Sequence, residues 1–280
     1  MPRPILRFAP SPNGPLHLGH AYSALLNLDM ARRLGGELLV RLEDIDTTRC
    51  REAYVAPMLD DLAWLGLPVD APRRQSEHYG EYEAALARLE AKGLLYPARA
   101  SRRAIAEAVE RLGPAWPRDP DGAPHFPRAF VEEDPREPAA LRLDMAKAAA
   151  GLDLSWQETG TGPDGETGHI RAEPHRWGDA ILRRKEFPGS YAIAVVVDDA
   201  LQGVTHVVRG QDLFHATALQ RLLQHHLGLP QPVYHHHGLI RGADGEKLSK
   251  SLASTALARY RADGASVADI RRLVGLPVDP

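Results

Sequence analysis

An α/β fold built on a doubly wound parallel sheet is predicted by three features of this 280-residue sequence. An apolar run, Ile5-Leu6-Arg7-Phe8, leads through a helical pattern to a second apolar run, Glu37-Leu38-Leu39-Val40-Arg41-Leu42, and strand, helix, strand in that order is a parallel crossover. The arrangement returns late in the chain, where Thr205-His206-Val207-Val208 precedes a helical stripe of Leu219, Leu222, Leu223 and Leu227. Between the two halves, Pro114, Pro117, Pro120, Pro124 and Pro127 break any regular element, as an insertion would.

After the first strand, Ala9-Pro10-Ser11-Pro12-Asn13-Gly14-Pro15 is a proline-punctuated loop. It ends at His17-Leu18-Gly19-His20 and the apolar-periodic segment Ala21 to Leu34. A helix start offers free backbone N–H groups and the positive end of its dipole, and two imidazoles one turn apart add donors on the same side, so this is a phosphate site. The second strand ends at Glu43-Asp44-Ile45-Asp46. Ligands gather beyond the carboxyl ends of strands in open parallel sheets, which puts Glu43 where a substrate is read. Val55, Met58, Leu59, Leu62 and Leu65 then repeat at helical spacing up to Gly66 and Pro68, and Tyr82, Leu86 and Leu89 give another helix closed by Gly93. Those stripes are core. Residues 1–93 form the first half of the sheet domain.

Residues 94–176 are read as an inserted, α-rich subdomain. Ser101 caps a helix carrying Ile105, Val109 and Leu112. No regular element is read from Leu141 to Trp156, and the glycine-rich Gly160 to Gly168 is expected as a mobile surface loop. The second half, residues 177–240, resumes at Gly178-Asp179-Ala180-Ile181-Leu182-Arg183. The β-branched run from Tyr191 to Val197 is expected as a strand buried on both faces. The later leucine helix stops at Gly228 and Pro230, and a strand from Val233 to Ile240 delivers the loop bearing Lys247-Leu248-Ser249-Lys250-Ser251. Two ammonium groups there suit the same phosphates as the histidines. Residues 241–280 hold this loop and a short helical region, with Ser266 as N-cap and Asp269 three residues on.

Composition sets the remaining bounds. With 44% hydrophobic and 25% charged residues the chain is ordinary globular material. A net charge of −3 gives no global basic signal, so contact with nucleic acid must come from local patches such as Arg183-Arg184-Lys185 or Arg102-Arg103. No apolar run reaches membrane-crossing length, Met1-Pro2-Arg3-Pro4 lacks a signal peptide's hydrophobic stretch, and the single Cys50 excludes an intrachain disulfide. A cytoplasmic monomer without membrane attachment is expected.

Alone, the histidines fit a pair packed on a helix and the lysines a solvated loop. Together and in this order, HLGH and KLSKS resemble the "HIGH" and "KMSKS" signatures of class I aminoacyl-tRNA synthetases. Arg7-Phe8-Ala9-Pro10-Ser11-Pro12, Arg41-Leu42-Glu43-Asp44-Ile45-Asp46, Tyr191 and Arg209-Gly210-Gln211-Asp212-Leu213 look like the glutamyl and glutaminyl branch, over nearly the whole chain. The resemblance implies a Rossmann-like catalytic domain that uses ATP with Mg²⁺. It makes His17, His20, Lys247 and Lys250 catalytic, with Gly19 and Ser249 also at the nucleotide. It has Arg7 and Arg209 bind the two carboxylates of L-glutamate, Ser11 and Tyr191 orient it, Glu43 take its ammonium, and Phe8, Ala9 and Pro10 complete the pocket. The charge count agrees: glutamate carries two anions and one cation, and the set offers two guanidiniums and one carboxylate.

The short tail after KLSKS is expected to leave no anticodon-binding domain. This resembles the short members of the branch, which form glutamyl-adenylate without tRNA and move glutamate to the queuosine base of tRNA(Asp). Val195 agrees, since full-length glutamyl enzymes commonly have Asn there. The alternatives are a truncated glutamyl-tRNA synthetase charging a tRNA 3′ end and a non-catalytic nucleotide- or RNA-binding remnant. One departure is conspicuous. Many relatives bind zinc in the insertion through a Cys-x-Cys pair, whereas this chain has Ala98 and Ala100, and alanine cannot coordinate a metal. No structural zinc is expected. Cys50 is read as a packed or inert thiol, and His235-His236-His237 cannot converge on one ion because neighbours on a strand face opposite sides.

Overall fold

The structure, a computed structural model, describes residues 3–186, 189–240 and 255–278. The strands are β1 (Ile5–Phe8), β2 (Glu37–Leu42), β3 (Arg73–Arg74), β4 (Leu95–Ala98), β5 (Ala140–Leu143), β6 (Ser155–Glu158), β7 (Gly168–Arg171), β8 (Ile181–Arg183), β9 (His206–Gly210) and β10 (Val233–His237). The helices are α1 (Leu18–Arg33), α2 (Val55–Trp64), α3 (Tyr79–Ala91), α4 (Arg102–Leu112), α5 (Met145–Ala149), α6 (Tyr191–Leu201), α7 (Ala216–Leu227), α8 (Leu257–Ala262) and α9 (Val267–Leu273). Among the described residues one sheet runs β3-β2-β1-β9-β10-β6-β7, parallel except for the β6–β7 hairpin.

Alternation along β1 places helices on both faces of that sheet. Leu6 joins a core with Leu25 of α1, Leu62 of α2 and Ile270 of α9, while its neighbour Ile5 packs against a separate core that includes Val207 of β9 and Ala218 of α7. α3, α6 and α7 share a further core. The α/β class and the Rossmann-like plan therefore stand as the sequence predicts. A second sheet, β4-β5-β8, is small and antiparallel.

Several sequence expectations change. Tyr191 to Val197 opens helix α6, not a strand: Ile193, Ala194, Val195, Val196 and Val197 are all buried, so packing on every side overrides the β-branched preference. A short wholly apolar run carries no periodicity to tell the two apart. The stretch from Leu141 to Gly168 is regular in large part, supplying β5, α5, β6 and the start of β7. Moreover, β6 and β7, within the span read as insertion, extend the main sheet, while β8, from the span read as its second half, joins the small one. Strand β10 ends at His237, short of Ile240. The loop from Gly160 has a packed start, because a Cβ on Gly160 would collide with the backbone of His236.

Other local readings match. Ser101 accepts from the N–H of Ala104, Gly228 ends α7 in the left-handed conformation (φ 61°), and Ser266 with Asp269 forms a full capping box. The three adjacent histidines diverge as strand geometry requires. His236 meets Glu158, His235 meets Thr159, and His237 meets Ser23.

Candidate active site

The HLGH turn is a helix cap made of histidines. His17 is the N-cap of α1, its Nδ1 accepting from the N–H of Gly19 (3.1 Å), while Nδ1 of His20 accepts from the N–H of His17 (3.2 Å). This reciprocal pair replaces the usual hydroxyl and carboxylate of a capping box. Burial lowers the pKa of His17, and burial with the neighbouring His17 takes His20 down to about 3, so both rings are neutral near pH 7. A neutral ring that accepts at Nδ1 carries its proton on Nε2. Each histidine therefore keeps an Nε2–H donor that the cap does not use. Gly19 has a local reason beyond phosphate approach: a Cβ there would sit 2.9 Å from His17 Cε1.

These residues open onto a cavity of about 430 Å³ at the carboxyl ends of β1, β2, β9 and β10. β1 lies between β2 and β9, so this is the crevice where connections leave the sheet in opposite directions. Arg7, Phe8, Ala9, Pro10, Ser11, His17, Gly19, His20, Glu43, Tyr191 and Arg209 all line it. The fold thus brings together the described members of the predicted set. Lys247, Ser249 and Lys250 lie outside the described residues. Tyr22, Ser23, Asp212 and His237 also line the cavity, and sequence reasoning gave none of them a role in the site.

Beneath the cavity runs a buried charge network that sequence reasoning also missed. Asp199 of α6 accepts from Arg7 Nε (3.1 Å) and Arg41 Nη1 (2.8 Å), and Arg41 Nη2 donates to Glu43 Oε1 (3.1 Å). Asp198 next door takes Arg73 Nε, Gln75 Nε2 and the hydroxyl of Tyr82. Arg41 is fully buried. Burial works against its charge, but Asp199, Glu43 and Asp198 more than reverse that and hold it protonated. For Asp199 burial pushes the pKa up, yet Arg7 and Arg41 prevail and leave it below the usual carboxylate range. For Glu43 burial wins over Arg41 and Arg7 and raises the pKa. The signal available in the sequence was Asp198-Asp199 closing the apolar run. Two adjacent acids there are odd for a strand buried on both faces and natural for a helix reaching back under a site.

Arg209 is held from the other flank. Its Nε faces His236 Nε2 (3.1 Å), its Nη2 donates to Thr217 Oγ1 (2.8 Å) and the carbonyl of Leu213 (3.2 Å), and its Nη1 lies 3.5 Å from the Tyr191 hydroxyl. The cavity therefore has two arginines, Arg7 on β1 and Arg209 on β9, a carboxylate, Glu43, at the end of β2, and neutral imidazole donors at the helix start. Such a set can bind a small zwitterion with an extra acid group beside a phosphate.

In the insertion, Ala98 and Ala100 are buried against Phe126, with Tyr96, Ile105 and Val131 around them. The guanidinium of Arg142 lies 3.9 Å from the Phe126 ring centre and that of Arg128 lies 3.6 Å from the Tyr96 ring centre. Among the described residues no group of three or more His, Cys, Asp or Glu is arranged to hold a metal ion. Cys50 is half-buried, and burial, then Asp44 and Asp46, raise its thiol pKa, as suits an unreactive group.

Residues 5–276 match the family described as tRNA synthetases class I (E and Q), catalytic domain, and the chain belongs to that family. It is 49% identical to a Glutamyl-Q tRNA(Asp) synthetase of Rhodobacter capsulatus, over 97% of this chain and 100% of that one. It is 38% identical to a Glutamate–tRNA ligase 2 of a Methylobacterium species, over 97% of this chain but only 60% of the relative's length. A glutamate tRNA ligase from Elizabethkingia meningosepticum has the same fold, with a TM-score of 0.77 at 23% identity, and this chain spans 60% of it. Membership of this family implies use of ATP.

Proposed function

We propose that this protein joins ATP and L-glutamate to form glutamyl-adenylate, and then transfers the glutamate to queuosine at the wobble position of tRNA(Asp). The observation that carries the glutamate half is the cavity's charge set, two arginines and Glu43 at neighbouring strand ends. The acceptor half is supported by the 49% identity to the Rhodobacter capsulatus protein over its whole length.

In this reading Arg7 and Arg209 bind the two carboxylates, Glu43 takes the ammonium, and Ser11 and Tyr191 orient the substrate against Phe8, Ala9 and Pro10. The Nε2–H groups of His17 and His20 and the backbone at Gly19 donate to the nucleotide's phosphates, where negative charge grows as the substrate carboxylate attacks the α-phosphorus and pyrophosphate leaves. Lys247, Ser249 and Lys250 are assigned to the departing pyrophosphate. Mg²⁺ arriving with ATP would supply further neutralisation there. A second cavity of about 760 Å³ adjoins the first at Tyr191 and Asp212, between the small sheet and α7. Ser190 Oγ and Gln220 Nε2 in its wall are buried with no hydrogen-bond partner among the described residues. The second cavity's position beside the first, sharing Tyr191 and Asp212 with it, supports its assignment to the acceptor.

ATP–pyrophosphate exchange with a panel of amino acids and no tRNA is expected to proceed with glutamate alone. No exchange with glutamate would end the proposal. Glutamate transfer is then expected on queuosine-containing tRNA(Asp), and not on queuosine-free tRNA(Asp) or on tRNA(Glu). Charging of tRNA(Glu) instead would make the chain a glutamyl-tRNA synthetase.

A further inference from the structure

Glu158, His236 and Arg209 stand in a row across three adjacent strands. In register, Glu158 of β6 is opposite Tyr234 of β10, and His236 of β10 is opposite Arg209 of β9. The side chains of Glu158 and His236 are fully buried and that of Arg209 nearly so. Of the three, Arg209 alone lines the cavity. The other two must be explained.

The hydrogen bonds around Glu158 leave one arrangement of protons. Oε1 accepts from the backbone N–H groups of Gly160 and His236, both at 2.8 Å. Oε2 lies 2.6 Å from His236 Nδ1 and 3.4 Å from Trp156 Nε1. The two backbone N–H groups and Trp156 Nε1 can only donate, as suits an ionised carboxylate, and the role of His236 Nδ1 is set by the far side of its ring. Across the ring, Nε2 faces the Nε–H of Arg209, which can only donate. His236 is therefore neutral, protonated on Nδ1, with a lone pair aimed at the guanidinium.

We propose that Glu158 and His236 are positioning residues for substrate binding: Glu158 fixes the tautomer of His236, and that tautomer holds Arg209 in the orientation that binds glutamate. The assignment of glutamate rests on the reading given above. An arginine side chain has many rotamers, and a guanidinium clamped by His236, Thr217 and the Leu213 carbonyl presents its remaining edge without having to be ordered by substrate. Gly160 belongs to the device as well. Its N–H is one of the donors that pin Oε1, and its missing side chain lets the loop lie against β10.

Replacing Glu158 by Gln separates this role from simple packing. The two backbone donors require the amide oxygen of the new side chain where Oε1 sits, which turns its NH₂ group toward His236 Nδ1. The ring must then accept at Nδ1 and carry its proton on Nε2, pointing a donor at the Nε–H donor of Arg209. In ¹⁵N-histidine-labelled protein, with the His236 signal assigned by its loss in His236→Gln, the wild type is expected to show the Nδ1–H form and Glu158→Gln the Nε2–H form. In ATP–pyrophosphate exchange, Glu158→Gln is expected to raise the KM for glutamate about ten- to a hundredfold, with the KM for ATP unchanged. His236→Gln, whose amide oxygen can reach the Nε2 position and accept from Arg209, is expected to raise the KM for glutamate less than Glu158→Gln does. An unchanged tautomer in Glu158→Gln, an unchanged KM for glutamate, or an equal rise in both KM values would overturn the relay. If the wild type shows no exchange with glutamate, the reading of the substrate fails, and the tautomer comparison still decides whether Glu158 sets the state of His236.

Discussion

The strand ends around the cavity and the insertion that flanks them are stabilised by opposite means. Around the cavity, Arg7, Arg41, Glu43, Asp198 and Asp199 are buried and linked by ion pairs, with Arg73, Gln75 and Tyr82 bonding Asp198. In the insertion, Ala98 and Ala100 are buried against an aromatic ring, and arginines lie over the rings of Phe126 and Tyr96. The difference follows from the task. A site that reads charge needs ionised groups with fixed directions, and directions are fixed by hydrogen bonds even though desolvation makes buried ions costly. A flanking subdomain needs only its shape, which apolar contact and cation–π attraction supply without that cost.

The sharpest way to break this comparison is Asp199→Ala, which leaves the buried Arg7 and Arg41 without their shared carboxylate. Removing one partner of a buried ion network costs about 4 kcal/mol, and the loss is expected in global unfolding by denaturant together with loss of glutamate-dependent exchange. The pKa of Asp199 is depressed in the folded protein, so its contribution is complete above the usual carboxylate range and vanishes as pH falls through the lowered value. The acid limb of the stability curve is therefore expected to be flatter in the variant. A variant as stable as wild type at every pH would mean that the ions are passengers in the fold.

How much of this was visible beforehand differs between the same two regions. Arg7, Ser11, Tyr191 and Arg209 in the cavity lining were assigned through the family resemblance, while Glu43, His17 and His20 were readable locally, at a strand end and a helix start where the hydrophobic pattern stops abruptly. The layer beneath was not. Arg41 lies inside a run scored as apolar strand, and Asp198 with Asp199 follow a run whose β-branched residues favoured the wrong element. Glu158 fell in a stretch where no element was read, so its pairing with His236 could not be anticipated. Long-range partners, 78 residues apart for that pair, leave no trace in local periodicity. In the insertion the missing thiolates were plain from two letters, but the ring that packs on them was not.

Phe126→Ala probes the second half of the contrast, with a smaller and more local effect. Removing a buried ring costs about 3 kcal/mol, and Arg142 loses its aromatic partner at the same time. Faster hydrogen exchange is expected in β4, β5 and β8, with the KM for glutamate unchanged because the cavity's charge network does not pass through this cluster. A raised KM for glutamate would show that the two regions are one cooperative unit, and the contrast would dissolve.

The smallest expected effect is none, and it tests the contrast most directly. If the insertion is held by the Ala98, Ala100 and Phe126 cluster rather than by a metal, then protein purified without a histidine tag should contain no stoichiometric zinc, and a strong chelator should leave its thermal midpoint unchanged. A structural zinc site contributes folding free energy outright, so its removal would lower that midpoint visibly. Bound zinc together with a chelator-sensitive midpoint would mean that other ligands had replaced the two thiolates. It would also mean that the insertion, like the cavity, relies on buried charge. An unchanged midpoint would leave the aromatic cluster around Phe126 as the element that holds the insertion, and Phe126→Ala would then be the substitution that lowers that midpoint.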